Sequence, residues 1–471
     1  MRDPVVDAAS EVIGGPRGRY ASPPRQSWVT VAAVLSALAA LPAAFGILLR
    51  VPCLRTGFVG DGQFWNACYS DLPNTYRDSP VKDGLAAFLQ GGPEAATTGQ
   101  PPLTGLALTA VASLVPHDGA NGISSQAAWF FALWAAVSTV LLLAIVWFVA
   151  STSRMPFSAA HVAVAPVVAL VAFVSADLLG VALATAGMWA WGRRRPALAG
   201  ILLGLAVSAR SYPVLIIVAI GLLALRAGRL RDFGRLAVRA LATFGVVLVG
   251  LWVLNPDAAL SAYQGWAESG AGYGSPWLLP QLAGHPLPNG AITAIAALGW
   301  VLALVAGAVL ALSSRRRPTL AEVSLVMVAI VLVTGKSFTV QSSLWLVPLV
   351  AWCAVQWRDH LVWASAEAVN FVAVWLSIAG NTTPDRGLPA PWYAALSMLR
   401  VVAVLWLAVA VWLRARDRAA LPAPAETTEA AVDAEAHDGA APRHSHDGTA
   451  EADDLAGPLT GARDRVLVRF S

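Results

Sequence analysis

The sequence predicts an all-α polytopic membrane protein, and three observations carry that expectation. Of its 471 residues, 57% are hydrophobic and only 13% are charged, a balance that soluble domains do not show. Apolar runs recur from Trp28 to Leu413, several of them long enough to cross a bilayer. Short basic runs, Arg193-Arg194-Arg195, Arg226 to Arg235, Arg315-Arg316-Arg317, Arg358 and Arg414 to Arg418, each separate a pair of apolar segments. Arginines so placed mark a cytoplasmic face, and the remaining polar residues gather at the opposite ends of the same helices.

The chain opens with a cytoplasmic tail, residues 1–27, that is polar, basic at Arg17, Arg19 and Arg25, and without the pattern of a cleavable signal peptide. A transmembrane domain over 28–413 follows. Its expected spans are 28–49, 124–150, 158–174, 177–191, 197–209, 212–226, 236–254, 291–312, 319–334, 341–356, 361–379 and 391–413, about twelve helices with both termini inside. Several fall short of the ~20 residues a perpendicular span needs, so they are expected to stop inside the protein near the outer face. The apolar stretch 102–116 is read as an interfacial or re-entrant helix, because counting it as a span would place every later basic run outside. Two long loops, 51–123 and 255–290, fall on the external side. Residues 414–471 read as a disordered cytoplasmic tail, since from about Ala419 the chain turns Ala/Glu/Asp/Pro/His-rich with almost no aromatic residues. His437, His444 and His446 in that tail lack cysteine partners and read as solvated.

The formal charge of +4 comes from the arginines that set orientation and gives no case for nucleic-acid binding. Three cysteines cannot form a disulfide framework. Cys53 and Cys68 share the first external loop, where an oxidising compartment permits a bridge without requiring one, and Cys353 lies in an apolar run as a core residue.

Chemistry-bearing residues concentrate on the external side. The first loop holds Asp61 in Gly60-Asp61-Gly62-Gln63-Phe64-Trp65 and Asp71 in Cys68-Tyr69-Ser70-Asp71-Leu72-Pro73-Asn74-Thr75-Tyr76-Arg77, followed by Gln100-Pro101-Pro102-Leu103. Either acid can act as a general base on a hydroxyl held within hydrogen-bonding reach, or can simply cap an interfacial helix. Tyr76 and Arg77 are further candidates beside them. Asp177, joining two apolar helices, must cap a helix, pair with a cation or line a wet cavity. Pro213 breaks the next pair of helices into a hairpin and points Arg210 and Tyr212 toward Asp177. Lysine occurs only at Lys82 and Lys336. A compact cation at Lys336, with Gln341, Ser342 and Trp345 beginning the next helix, suits a phosphate on a lipid carrier, or else snorkels to headgroups. In the second loop Tyr273 and Trp277 can stack on a sugar ring or sit in an interfacial aromatic belt. Arg400, deep in the last span, needs a partner, and Glu367 on the preceding helix is a candidate for a structural ion pair.

These pieces occur in a recognisable order: Ser70-Asp71-Leu72 with Tyr76; Ser175-Ala176-Asp177-Leu178-Leu179; Arg194-Arg195-Pro196 through Gly204-Leu205-Ala206 to Tyr212-Pro213-Val214-Leu215; and Lys336-Ser337-Phe338-Thr339-Val340-Gln341 ahead of Leu344-Trp345-Leu346-Val347-Pro348. In that order the chain resembles the polyprenyl-phosphate-dependent glycosyltransferases of the GT-C fold, most closely glycosyltransferase family 87, which contains the actinobacterial α-mannosyltransferases. The resemblance implies a catalytic acid in the first external loop, best matched by Asp71 with Asp61 in reserve, and donor-phosphate contacts at Arg210, Tyr212, Lys336 and Gln341. It departs from the family at Arg210, where many members have lysine, and at Gln341-Ser342-Ser343, where Pro-Gln-Tyr is more usual. It implies an inverting hexosyltransferase of the bacterial plasma membrane, moving mannose first among sugars from a polyprenyl-phosphate donor to a cell-envelope glycolipid or glycan. No cofactor beyond the lipid-linked sugar is implied, no metal ligand set is assigned, and a divalent metal stays open. A transporter or lipid flippase is the alternative class, but it calls for midplane polar residues and inverted repeats, which the sequence does not display.

Overall fold

A computed structural model describes residues 27–90, 98–116, 122–383, 385–420 and 453–468, without the side chains of 417–420. All regular structure among them is helical, with no strand. The main helices are α1 (Trp28–Leu48), α2 (Asp71–Asp78), α3 (Pro102–Ala112), α4 (Ile123–Thr152), α5 (Asp177–Gly192), α6 (Pro196–Ala209), α7 (Pro213–Arg226), α8 (Leu230–Leu254), α9 (Pro256–Glu268), α10 (Asn289–Ser313), α11 (Leu320–Thr334), α12 (Trp357–Ala379) and α13 (Ala390–Ala420).

Six helical stretches are long and apolar enough to cross a membrane: Trp28–Thr56, Ile123–Thr152, Leu230–Leu254, Asn289–Ser313, Trp357–Ala379 and Ala390–Arg416. They carry aliphatic side chains on open faces; Val246 and Val253 of α8 are 73% and 69% exposed, which only a hydrocarbon solvent tolerates in such numbers. The helices α6, α7 and α11 are apolar but short, at 14, 14 and 15 residues. Expected spans at 158–174 and 341–356 are broken further, into pieces such as Pro166–Val171, Val340–Trp345 and Val347–Trp352.

Sequence punctuation explains these breaks. Pro196 and Pro213 occupy first helical positions, where a missing N–H costs nothing. Thr319 and Glu322 form a capping box at the start of α11. Gly200 and Gly204 let α6 lie directly against the backbone of α8 at Leu236 and Ala240, the small-xxx-small device of packed membrane helices. The core is the packed interior of α4, α5, α7 and α11, with Trp134, Trp191 and Ile220 almost fully buried. The stretch expected at 102–116 is the 11-residue helix α3, docked on the end of α6 by Thr104 Oγ1 donating to the Ala209 carbonyl at 2.9 Å.

Cys53 and Cys68 are bridged, closing the first loop just before Asp71, whereas Cys353 is only partly buried. The tail expected to be disordered over 414–471 is not so throughout. Residues 414–420 continue α13, 421–452 with the three histidines lie outside the described residues, and 453–468 pack against the bundle with Leu455 and Leu459 buried. Composition misleads there because a segment too polar to fold alone can still borrow an existing apolar surface.

Candidate functional site

The site grows from Ser70. Its hydroxyl accepts from the Leu72 N–H at 3.3 Å and so starts α2, while donating to the carbonyl of Phe173 at 2.8 Å. The Asp71 N–H donates to the Val174 carbonyl at 2.7 Å. These bonds pin the first-loop acid to the chain immediately ahead of Asp177, the first residue of α5. A single 3₁₀ segment, Val340–Trp345, then reaches both acids: Gln341 Nε2 donates to Asp71 Oδ2 at 3.3 Å, and Trp345 Nε1 donates to Asp177 Oδ1 at 2.9 Å.

Asp177 is buried and heavily used. Arg210 meets it in bidentate fashion, Nε to Oδ1 at 2.9 Å and Nη2 to Oδ2 at 3.1 Å, and Ser175 Oγ donates to Oδ2 at 2.6 Å. The remaining guanidinium nitrogen of Arg210 donates to Gln100 Oε1 and to the Ala209 carbonyl, each at 3.1 Å. Tyr212 is buried and stacks on Trp345 with ring centroids 4.6 Å apart. Asp71, Asp177, Arg210, Tyr212 and Gln341 are thus brought together at one end of the bundle.

Asp71 differs from Asp177 in having no cation of its own. Burial pushes its carboxyl up to about 6; the Asp177 charge pushes the same way, and a hydrogen bond from Tyr69 and the charge of Arg210 hold it back. Burial and the Asp71 charge raise the Tyr69 phenol well above its ordinary value, so it stays a donor to Asp71. The Tyr69 ring is held by stacking against Phe64 and Trp375. A carboxylate titrating near neutrality, beside an amide and a phenol that orient it, is suited to accepting a proton.

Other candidates go elsewhere. Asp61 is exposed ahead of the short helix Gly62–Trp65, and its carboxylate makes no hydrogen bond or ion pair to Asp71, Asp177, Arg210, Tyr212 or Gln341, so the reserve acid does not join the site. Tyr76 is buried and stacks on Phe130 of α4. Arg77 holds the turn after the short helix Val51–Thr56, donating to the carbonyls of Gly57 and Phe58 and to Asn74.

Lys336, expected at the donor phosphate, is engaged at the end of α9 instead. Its ammonium donates to the carbonyls of Trp266, Ala267 and Ser269 at 2.6, 3.1 and 2.9 Å and lies over the Trp266 ring at 4.6 Å. An ammonium has three N–H donors, and here all three serve the end of α9, leaving none for a phosphate. Tyr273 and Trp277 belong to the same assembly. The Tyr273 carbonyl accepts from the Phe338 N–H at 3.1 Å, and Trp277 Nε1 donates to the Thr334 carbonyl at 3.0 Å. Arg400 underlies this loop, paired with Glu367 at 2.7 Å as the sequence suggested and donating to the carbonyls of Phe338 and Thr339 and to Ser343 Oγ. The group therefore positions the turn that carries Gln341 and Trp345, and does not itself face Asp71.

Sequence reasoning left out Ser70, Tyr69, Gln100 and Trp345 as site residues. For Ser70, Tyr69 and Trp345 the only available signal was nearness to Asp71 or Lys336 along the chain; for Gln100 it was a place in the same external loop as Asp71. It also passed over Arg50, which is fully buried at the end of α1, donates to the Leu170 carbonyl at 2.8 Å and lies 5.7 Å from the centre of the Phe371 ring. Among the described residues no group of three or more His, Cys, Asp or Glu side chains is placed to hold a metal ion. No protein-family model matches the chain, and no curated protein matches it.

Proposed function

We propose that the chain is an integral-membrane glycosyltransferase with a GT-C-like arrangement of about twelve crossings, in which the shorter apolar stretches at 158–174, 177–191, 197–209, 212–226, 319–334 and 341–356 complete the six long ones and Pro102–Ala112 does not cross. It transfers a sugar, mannose before others, from a polyprenyl-phosphate donor to a hydroxyl of a cell-envelope glycolipid or glycan. The observation that carries this reading is the state of Asp71: a first-loop carboxylate raised toward neutrality, oriented by Gln341 and Tyr69, next to an arginine-bound second acid. In the reaction Asp71 takes the proton of the acceptor hydroxyl. The freed oxygen bonds to the anomeric carbon from the face opposite the phosphate, the carbon–oxygen bond to phosphate breaks, and the lipid phosphate leaves with the electron pair. Arg210, whose charge already acts on Asp71, is the cation assigned to that departing group, while Asp177 fixes its direction. Incubating the purified protein with polyprenyl-phosphate mannose and a panel of envelope glycolipids, read by mass spectrometry, tests the reading; no transfer to any acceptor counts against it.

The proton balance gives a pH dependence. Only the ionised carboxylate accepts a proton, so kcat/KM is expected to be level above about pH 6 and to fall roughly tenfold per unit below it. Tyr69→Phe removes a hydrogen bond that favours ionisation and should move this limb to higher pH. A profile flat down to about pH 4.5, well below the limb, would remove Asp71 from the base role.

The proposal also fixes orientation in a bacterial plasma membrane, with both termini cytoplasmic and the Asp71 site external. Lys82 and Arg231 are both exposed. On a background with Cys353 replaced by alanine, a cysteine at position 82 is expected to react with a membrane-impermeant maleimide in intact cells, and one at position 231 only after lysis. The reverse pattern would invert the topology.

A further inference from the structure

The ends of α5, α7 and α11 remote from Asp177, Tyr212 and Gln341 form a second polar centre. Residues 453–468 lie across it. Asp464 bridges two arginines from different helix ends, Arg226 Nη2 at 2.7 Å and Arg317 Nη2 at 2.6 Å, and Arg226 is fully buried. Arg317 also donates to the carbonyls of Leu459 and Ala462 at 3.0 and 2.6 Å. Asp454 accepts from the Arg154 N–H at 2.8 Å, and Asp453 accepts from the Leu320 N–H at 2.9 Å, where α11 begins. Leu455 and Leu459 are 1% and 2% exposed. The backbone adds bonds from Arg465 N–H to the Arg226 carbonyl at 2.7 Å and from Val468 N–H to the Leu312 carbonyl at 3.0 Å. Gly457 has φ +53°, and a Cβ there would run into the Trp191 carbonyl.

We propose that this face is a peptide-binding socket, specific for a segment with three placed aspartates and two leucine anchors, and that residues 453–468 are its ligand, supplied in cis. The recognition is that of a short linear motif rather than of a domain core. Two apolar side chains fill sites on a preformed surface, three aspartates answer Arg154, Arg226, Arg317 and the first N–H of a helix, and a glycine passes where no side chain fits. The ligand is joined to α13 through residues 421–452, a stretch without an aromatic residue that spans up to roughly 100 Å when extended. The socket ties together helices whose opposite ends carry Asp177, Tyr212 and the Gln341 turn, so its occupancy fixes their relative positions from behind.

Full-length protein in detergent, wild type and Gly457→Ala, is to be titrated with a fluorescein-labelled peptide of residues 453–468 and followed by anisotropy. In wild type the cis ligand competes at high effective concentration, so the free peptide should bind the Gly457→Ala chain about tenfold or more tightly than wild type. The same peptide carrying Asp464→Asn should bind that chain at least about tenfold more weakly, because Arg226 is left buried without its partner. Amide exchange should find 453–468 protected in wild type and released in Gly457→Ala. Equal binding to both proteins, binding to neither, or an unprotected segment in wild type overturns the proposal. A wild-type dimer that disperses in Gly457→Ala would place the ligand on a second copy and overturn the cis assignment.

Discussion

Asp71→Asn is expected to lower sugar transfer by on the order of 10²–10⁴-fold while the protein folds and purifies as wild type. An amide has the carboxylate's shape and keeps one acceptor oxygen for Tyr69, while Gln341 can turn its own amide to accept from the new NH2, but an amide at position 71 cannot take up the acceptor's proton. The fold tolerates the change because Asp71 forms no ion pair and its burial already disfavours the charge. Asp61→Asn, in an exposed residue remote from these contacts, should be close to wild type. Turnover on a verified donor and acceptor, with thermal unfolding in detergent as the control, decides the matter. Wild-type turnover in Asp71→Asn would remove the proposed mechanism, and loss of turnover in Asp61→Asn alone would transfer the role to Asp61.

The second large effect runs the other way. Asp177→Ala is expected to destabilise the protein by about 3–5 kcal/mol, because it strands the largely buried Arg210 guanidinium and leaves Trp345 Nε1 and Ser175 Oγ without their acceptor. Asp177→Asn keeps an acceptor for Arg210 and should cost less. Replacing both partners together, Asp177→Leu with Arg210→Met, should recover much of the stability, since removing a whole buried pair is far cheaper than removing half of one. If Asp177→Ala unfolds at the wild-type midpoint, the pair is not what holds α5 to α6. The two acids therefore separate cleanly in their expected readouts: one loses turnover with its stability kept, the other loses stability first.

Much of this was legible in the sequence because hydropathy is a local property. The long runs around α1, α4, α8, α10, α12 and α13 contain enough apolar residues to report their own environment. Pro213 likewise announced the hairpin at Arg210 to Pro213. Asp71 stood out through its loop, and Glu367 with Arg400 through the cost of a lone charge in an apolar helix.

Lys336 shows where that reasoning ends. Its rarity and position marked it as unusual, but which oxygens it meets depends on where the end of α9 comes to rest, and three carbonyls there outcompete any more distant ligand. The tail shows the same limit from the other side: its composition forbids an independent core, yet Leu455 and Leu459 needed only a surface that α5, α7 and α11 had already built.

By itself the sequence determined the all-helical membrane character, many of the helix break points and the residues able to carry chemistry, since each depends on near neighbours along the chain. Only the tertiary structure decided which of those residues meet. Gln341 reaches Asp71 across 270 positions and Trp345 reaches Asp177 across 168. Contacts of that span are set by the packing of whole helices, and a hydrogen bond that depends on tenths of an ångström cannot be read from spacing.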